Sequence, residues 1–182
     1  MRAKIAILVW LIASFNLDAI SVNVQAGVER FACYRDLLAG RKVAIVANQT
    51  SCVGDSHAVD FLRGKGVNLV KVFCPEHGFR GNADAGENIG NYVDAESGLP
   101  VLSLYGKHKK PRPEDLRDVD VVLFDIQDVG VRFYTYLSTL HYVMEACAET
   151  GIPLIVMDRP NPNAFYVDGP ILRGEHASFV GM

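Results

Sequence analysis

The sequence predicts an α/β fold in which a doubly wound, parallel β-sheet is flanked by helices. Five short runs of β-branched and apolar residues recur along the chain, and helical segments lie between them. Near-continuous apolar strands are typical of a sheet that is buried on both faces. Strands that alternate with helices favour parallel pairing with right-handed crossovers.

The predicted strands are runs of apolar residues that end in polar or turn-forming ones. They cover residues 42–47, 67–74, 99–104, 119–126 and 153–157. The stretch 76–98 is rich in Gly, Asn, Asp and Ala and is predicted to be a long loop. Loops of that length in a compact domain are usually functional.

Three helices are predicted between these strands, over residues 56–63, 113–117 and 134–150. Asp55 or Ser56 would cap the first helix, and Pro113 suits the first turn of the second. In the third, apolar residues recur every three or four positions and Gly151 marks the end. The residues expected on its buried face are Leu137, Leu140, Met144 and Cys147.

Composition and charge describe an ordinary globular protein. Of the 182 residues, 49% are hydrophobic and 21% are charged, with a net charge of −3. These values argue against a disordered or fibrous chain, and the absence of a basic excess argues against a nucleic-acid partner. The length is sufficient for one sizeable core and therefore for one domain.

The amino terminus has the pattern of a secretory signal peptide. Arg2 and Lys4 precede an apolar run at residues 5–15, and Val24-Gln25-Ala26 then offers small residues at a cleavable position. We expect cleavage between Ala26 and Gly27, a mature domain over residues 27–182, and a periplasmic or secreted location with no membrane contact after cleavage. An uncleaved membrane anchor is the alternative.

No cofactor or metal is expected. The four cysteines do not form a CxxC pair, and HExxH, GxGxxG, GxxxxGK[ST] and GxSxG are all absent. These absences argue against zinc, dinucleotide, nucleoside triphosphate and serine-hydrolase sites. Cys74 and Cys147 are predicted core residues. An oxidising compartment would permit one or two disulfides, whose pairing the sequence does not indicate.

Polar residues follow the end of each predicted strand, and these ends share one edge of a parallel sheet. Ligands bind in the crevice at that edge. Ordinary polar loops are the alternative. The residues concerned are Asn48, Gln49, Glu76, His77, Tyr105, Asp125, Gln127, Asp128, Asp158, Arg159 and Asn161.

Glu76 is the leading candidate for a general acid. A carboxyl group at a strand end, half-buried, could have a raised pKa, although a surface glutamate is the alternative. His77 is a candidate base or hydrogen-bond donor. Arg80 lies between glycines, where a guanidinium can grip an anion. Glu87 and Asp94 are either a second carboxylate or solvated loop charge.

Asp125 follows a buried strand and must be paired or lie at the rim. Arg132 is its predicted counter-ion, and Asp125 and Gln127 share a face while the chain is extended. The aromatic residues Phe133, Tyr134 and Tyr136 could stack on a sugar ring or lie in the core.

Eight sequence blocks, taken together, resemble the bacterial exo-β-N-acetylmuramidases, a family long catalogued as a domain of unknown function. The resemblance covers nearly all of residues 42–182. The blocks are VANQTS (46–51), PEHGFRG (75–81), AGE (85–87), GLPV (98–101), SLYG (103–106), DIQDVG (125–130), RFYTY (132–136) and DRPNP (158–162).

The resemblance implies a Rossmann-like amino-terminal domain, a smaller carboxy-terminal domain and an active cleft between them. It implies a glycoside hydrolase that releases N-acetylmuramic acid from the non-reducing ends of peptidoglycan fragments by carboxylate catalysis. Glu76 is then the leading acid/base residue, and Glu87, Asp94, Asp125 and Asp128 compete for the second role. From charge, we expect Arg80 and Arg132 to hold the lactyl carboxylate of the sugar.

The predicted substrate-binding residues are Asn48, Gln49, Arg80, Glu87, Tyr105, Gln127, Arg132, Tyr134, Asp158, Arg159 and Asn161. Members of the family are longer than this chain, which is therefore expected to be their amino-terminal part without the smaller domain. The alternatives are a non-catalytic module that binds a cell-wall sugar and an inactive truncated copy.

Overall fold

The structure is a computed structural model that describes residues 24–76, 78–81 and 90–182. The strands of these ranges are β1 (Val43–Ala47), β2 (Cys52–Val53), β3 (Ser56–His57), β4 (Leu69–Cys74), β5 (Tyr92–Val93), β6 (Pro100–Ser103), β7 (Val121–Asp125) and β8 (Leu154–Val156). Six of them form one sheet in the order β5-β6-β4-β1-β7-β8, and β2 pairs with β3 in a short antiparallel ribbon.

The large sheet is parallel except at one edge. β1 lies between β4 and β7, and the pairs β4–β6 and β7–β8 extend the parallel arrangement outwards. Edge strand β5 runs antiparallel to β6. The chain moves from β1 towards β6 and then returns to the other side of β1, so the order reverses between β1 and β7. The predicted doubly wound α/β sheet is confirmed, and this reversal is where open α/β sheets form a ligand crevice.

Helices cover both faces of the sheet. α1 (Phe31–Leu38) and α2 (Ala58–Gly64) pack on one face, and α3 (Pro113–Leu116) and α4 (Tyr136–Thr150) pack on the other. Alternate residues of β1 serve the two cores: Ile45 belongs to the first and Val46 to the second, and both are fully buried. This period of two explains why the strand is apolar throughout.

The start of α2 differs from the expectation. Asp55 and Ser56 are not its cap, because Ser56 and His57 form β3. Instead the Val59 N–H donates a hydrogen bond to His57 Nδ1 at 3.2 Å, so a histidine ring caps the helix. Helix α1 and strand β5, which lies inside the predicted loop 76–98, were also not predicted.

The buried face of α4 is shifted by one residue from the prediction. Leu137 is 61% exposed and Met144 is 53% exposed, so both predicted core positions are wrong. Val143 and Thr139 are buried in their place, and the Thr139 hydroxyl donates to the Thr135 carbonyl. Satisfied hydroxyl groups make burial of a threonine inexpensive, and the tyrosine at the helix start adds apolar area on the same face.

The predicted leader lies mostly outside the described residues, so its cleavage stays a prediction. Gly27, the predicted first mature residue, donates its N–H to the Asp158 carbonyl at 2.6 Å. A Cβ at Gly27 would approach the Asp158 nitrogen to 2.6 Å, which explains why this position is a glycine. Among the helices of the described ranges, none is long and apolar enough to cross a membrane.

All four cysteines are free thiols in this structure. Cys74 and Cys147 are buried in the two cores, as predicted, and burial raises the pKa of the Cys147 thiol to about 11. Cys33 and Cys52 are exposed.

Candidate functional site

The carboxyl ends of β1, β4, β6, β7 and β8 lie along one edge of the sheet, which we call the rim. The pairing runs in register to the last residues, with Ala47 opposite Asp125 and Cys74 opposite Ser103. The segments that follow these strands therefore start side by side. The described residues Asn48, Glu76, Tyr105, Gln127 and Asp158 belong to them.

A tight turn fixes Asn48 at the centre of the rim. The Asn48 Oδ1 accepts hydrogen bonds from the Thr50 N–H at 2.9 Å and from the Thr50 hydroxyl at 2.6 Å. Because Oδ1 takes both donors, the orientation of the amide is determined. Asn48 Nδ2 is buried and makes no hydrogen bond within the described part of the chain. Asn48 is therefore an anchored side chain whose Nδ2 group lies near the Tyr136 side chain.

The same turn is joined to the strand-end segment after β7. The Ser51 hydroxyl donates to the Asp125 carbonyl, and the Gln127 N–H donates to Thr50 Oγ1 at 3.1 Å. The Gln127 side chain donates to the carbonyls of Asp128 at 2.7 Å and Pro160 at 2.9 Å. These bonds hold three strand-end segments together across the crevice.

Asp125 is paired with Arg159, not with Arg132. The Arg159 guanidinium donates to both Asp125 oxygens, at 2.6 and 3.0 Å, and Asp125 is fully buried. Burial raises the pKa of Asp125, whereas the Arg159 charge acts in the opposite direction. Arg132 is exposed and donates to the Pro170 carbonyl at 2.6 Å. The prediction that Arg132 is the counter-ion of Asp125 was therefore wrong. The counter-ion is Arg159, which lies 34 residues after Asp125 in the chain.

Arg80 lies at the centre of an acidic cluster. Its guanidinium contacts both oxygens of Asp94 at 2.9 and 3.0 Å, and it also contacts Asp60 at 3.2 Å and Glu96 at 3.0 Å. The Arg80 hydrogen bonds hold the pKa of the Asp94 carboxyl far below its usual range. Ser97 donates two further hydrogen bonds to Asp94, and these also lower its pKa. This arrangement ties residues 78–81, which follow β4, to helix α2 and to the segment after β5.

Arg80 also borders a polar cavity of about 340 Å³ beside the rim, lined in part by Gln49, His57 and Asp60. The His57 ring accepts from Val59 through Nδ1 and contacts the Asn48 carbonyl through Nε2 at 2.9 Å, so it is a neutral ring that carries its proton on Nε2. Burial lowers the pKa of His57, consistent with this state.

A larger cavity, of about 370 Å³, lies away from the rim. Its lining includes Phe31, Leu38, Lys65 and Asn68, which flank the amino ends of β1 and β4. It contains none of the predicted site residues. Its position at the opposite end of the strands separates it from the crevice that the fold provides.

Glu76 is half-buried and lies beside a group of tyrosines. Its negative charge is the main cause of the raised pKa of Tyr105, and a hydrogen bond between the two side chains contributes. Tyr134 and Tyr136 form an edge-to-face pair with ring centres 4.7 Å apart. Burial is the main reason why the pKa of Tyr136 is raised to about 12. The neighbouring Tyr134 and, to a smaller extent, Glu76 also raise this pKa, whereas the nearby Asn48 amide lowers it.

The remaining predicted residues occupy the outer part of the rim. Asp128 is half-buried and accepts from the Gly130 N–H at 3.3 Å, whereas Asp158 is exposed. Asn161 accepts from the Asn163 N–H at 2.9 Å. His77 and Glu87 lie outside the described residues.

Sequence reasoning missed several residues that organise the site. Asp60 and Glu96 pair with Arg80 from helix α2 and from the loop after β5, and Ser97 anchors Asp94. None of the three follows a strand of the parallel sheet, so the strand-end criterion does not detect them. Within the described ranges, no group of three or more acidic, histidine or cysteine side chains could hold a metal ion.

Comparisons with known proteins identify relatives of the chain. The family model described as exo-beta-N-acetylmuramidase NamZ, N-terminal, matches residues 43–182. Over 173 residues the chain is 46% identical to the peptidoglycan beta-N-acetylmuramidase NamZ of Bacillus subtilis, which covers 93% of this chain and 42% of that protein.

Two crystal structures of DUF1343 family proteins from Bacteroides fragilis have the same fold. They superimpose with TM-scores of 0.75 and 0.77 at 42% and 40% identity, and each match covers 86% of this chain and 40% of the other. The chain thus spans about two fifths of the length of these relatives. The family resemblance read from the sequence is confirmed.

Proposed function

The chain belongs to the family of the amino-terminal part of the exo-beta-N-acetylmuramidase NamZ, and from this membership we propose a function in peptidoglycan hydrolysis. In this proposal the chain supplies the catalytic acid of a glycoside hydrolase. The hydrolase releases N-acetylmuramic acid from the non-reducing ends of peptidoglycan fragments. No cofactor is needed, because two carboxyl groups suffice for this chemistry.

The position of Glu76 carries the proposal. Its carboxyl group lies half-buried at the rim, directly after β4 and next to the Tyr105 hydroxyl group. A carboxylic acid in this place can protonate the glycosidic oxygen of a sugar that enters the crevice. The proton reaches the leaving group as the bond to the anomeric carbon breaks.

Asp128 is our candidate for the second carboxylate. Asp94 and Asp125 are 5% and 0% exposed, and each is bound by an arginine at both oxygens. Either would have to break that pairing before it could contact a substrate. Asp128 is half-buried at the rim and accepts one backbone N–H. It would act as a base on water or as a nucleophile, according to whether the two carboxyl groups are about 6.5–9.5 Å or about 5–5.5 Å apart.

Arg132 is our candidate for recognition of the lactyl carboxylate. Arg80 is engaged by three carboxylates and Arg159 by Asp125, whereas the exposed Arg132 guanidinium contacts a backbone carbonyl. A neutral carbonyl is a weaker partner than a carboxylate, so a substrate anion can displace it. Arg132 also lies two residues before Tyr134, whose half-buried ring can pack against the sugar.

We propose that residues 27–182 form the mature amino-terminal domain and that the protein acts in the periplasm or outside the cell. The small residues up to Ala26 support this boundary, and the hydrogen bond from Gly27 to the Asp158 carbonyl places Gly27 within the packed domain. Amino-terminal sequencing of the protein from the extracytoplasmic fraction tests both. An uncut amino terminus in the cytoplasm would contradict them.

The function is tested with a chromogenic N-acetylmuramide. The purified chain is compared with a chimaera that adds the carboxy-terminal part of the Bacillus subtilis relative. We expect turnover in the chimaera and a loss of at least about a hundredfold in kcat for Glu76→Gln, because general acid catalysis contributes at least that much. Glu175→Gln is the control, since Glu175 contacts Arg173 and His176.

The outcomes separate the proposal from its rival. Turnover that survives in Glu76→Gln would remove Glu76 from the mechanism. Binding of N-acetylmuramic acid by both proteins without turnover in either would identify the chain as a sugar-binding module.

A further inference from the structure

Glu76 and Tyr105 occupy equivalent positions beyond two neighbouring parallel strands. β4 pairs with β6 so that Cys74 is opposite Ser103, and the Leu104 N–H continues the ladder to the Cys74 carbonyl at 2.7 Å. Glu76 therefore lies two positions after Cys74, and Tyr105 lies two positions after its partner Ser103. Neighbouring strands are about 4.8 Å apart, so the two residues start from adjacent positions at the rim, and a hydrogen bond joins their side chains.

From this juxtaposition we propose that Tyr105 is a positioning residue. Its hydroxyl group donates a hydrogen bond to one oxygen of the Glu76 carboxyl group, the other oxygen carries the catalytic proton, and the contact orients the carboxyl group towards the crevice. Tyr105 thereby acts on the reaction through Glu76 and not through the sugar. The catalytic part of this inference rests on the proposed function, whereas the contact itself does not.

The protonation state of Tyr105 agrees with a donor. The negative charge on Glu76 is the first cause of the raised pKa of the Tyr105 phenol, and partial desolvation and their hydrogen bond act in the same direction. A phenol with a raised pKa keeps its proton at neutral pH. Tyrosine serves as a nucleophile in some glycosidases, but that role requires easier loss of the proton. The environment of Tyr105 therefore favours donation over nucleophilic attack.

The backbone around Tyr105 is held on both sides. The Ser103 N–H donates to Asn91 Oδ1 at 3.0 Å, which ties the end of β6 to the segment before β5. Gly106 has a φ of 71°, so the chain turns sharply after Tyr105. These two features hold the backbone from which the Tyr105 side chain starts, which suits the positioning of a reactive carboxyl group.

A titration tests the contact without any activity. The Tyr105 Cζ resonance is assigned by comparison with Tyr105→Phe and followed by carbon NMR over pH. In the wild type we expect a pKa of Tyr105 above the ordinary value of 10.0, and in Glu76→Gln a return towards that value. Glu175→Gln should leave the wild-type titration unchanged. A Tyr105 titration that is the same in Glu76→Gln and wild type would overturn the proposal.

Kinetics of the chimaera then test the positioning role. Tyr105→Phe keeps the ring and removes the hydroxyl group. Because a hydrogen bond to a charged group is worth about 1.5–3 kcal/mol, kcat should fall by about tenfold to a hundredfold while KM stays within about twofold. A raised KM with unchanged kcat would instead make Tyr105 a substrate contact and refute the positioning role. If no protein shows turnover, the hydrolase proposal fails, and the titration alone decides whether Tyr105 holds Glu76.

Discussion

The Arg80 guanidinium binds both carboxylate oxygens of Asp94, and this pair holds the loop after β4 against the loop after β5. The side chains of Arg80 and Asp94 are 16% and 6% exposed, so water screens their attraction only weakly. Asp60 and Glu96 complete the cluster from more exposed positions. The pair is therefore the main electrostatic contact in this part of the rim.

Replacing Asp94 should destabilise the fold more than replacing its neighbour. We expect Asp94→Asn to lower the free energy of unfolding by about 1–3 kcal/mol, because it removes a charge from a bidentate, buried hydrogen-bonded pair. Glu96→Gln is the matched control, and its exposed pair should contribute less than about 1 kcal/mol. Urea unfolding measures both. Equal losses in the two variants would contradict the assignment.

The Asp94 pair should also make the protein sensitive to acid. The folded pKa of Asp94 is depressed, so its stabilising contribution is fully present above the unfolded value near 3.8 and is lost as pH falls through the lower folded value. We expect the free energy of unfolding of the wild type to decline below about pH 4. The free energy of unfolding of Asp94→Asn should decline less steeply over the same range. Unfolding curves at several pH values provide the measurement, and parallel declines would refute the prediction.

Arg159, and not Arg132, should be essential for stability. Arg159→Met leaves the fully buried Asp125 without its counter-ion, and breaking a buried pair costs about 3–5 kcal/mol. Arg132→Met removes an exposed side chain and should change the free energy of unfolding by less than about 1 kcal/mol. Adding Asp125→Asn to Arg159→Met should recover part of the loss. Thermal unfolding of the four proteins distinguishes the two arginines, and a greater loss in Arg132→Met would restore the original expectation.

His57 should add a second pH dependence, at higher pH. Burial lowers its folded pKa below the ordinary 6.5, so the unfolded chain binds a proton first and stability is lost as pH falls below about 6.5. In His57→Asn the asparagine can still cap helix α2 but cannot titrate. The free energy of unfolding of this variant should therefore stay constant between about pH 7 and 5. Denaturant unfolding across this range is the test. A wild-type profile as flat as that of the variant would exclude the effect.

The observed face of helix α4 predicts opposite results at two positions. Val143 is fully buried, so Val143→Ala should cost about 1–3 kcal/mol through lost packing. Leu137 is largely exposed, so Leu137→Lys should change stability by less than about 0.5 kcal/mol. Thermal unfolding of the two variants checks this. A large loss for Leu137→Lys would support the face that the sequence pattern favoured.

Sequence patterns predicted the sheet well because its strands are short, apolar and buried on both faces. Runs such as the one that became β1 have few alternative structures, and the alternation with helices left a parallel sheet as the simplest topology. Helix α1 was missed because it has only eight residues and buries only Tyr34 and Leu38, so it offers too few apolar positions to define a face. Helix α4 was found, but two adjacent faces carried apolar residues, and only packing decides between them.

The rim was predictable, but the partners within it were not. A strand-end position is a local feature, and it identified Asn48, Glu76 and Tyr105. The choice of Arg132 for Asp125 followed nearness along the chain, whereas Arg159 reaches Asp125 because β7 and β8 are neighbours in the sheet. Likewise, the three carboxylates around Arg80 come from separate elements that meet only in three dimensions.

Asn48 couples the two sides of the sheet. Its carbonyl receives the His57 ring from the side of α2, and its amide lies next to Tyr136 on the side of α4. Redesign of either wall of the crevice would consequently be transmitted to the opposite wall through one buried residue, by its main-chain carbonyl on one side and its side-chain amide on the other. Mutations on one side of the crevice should therefore require compensating changes on the other.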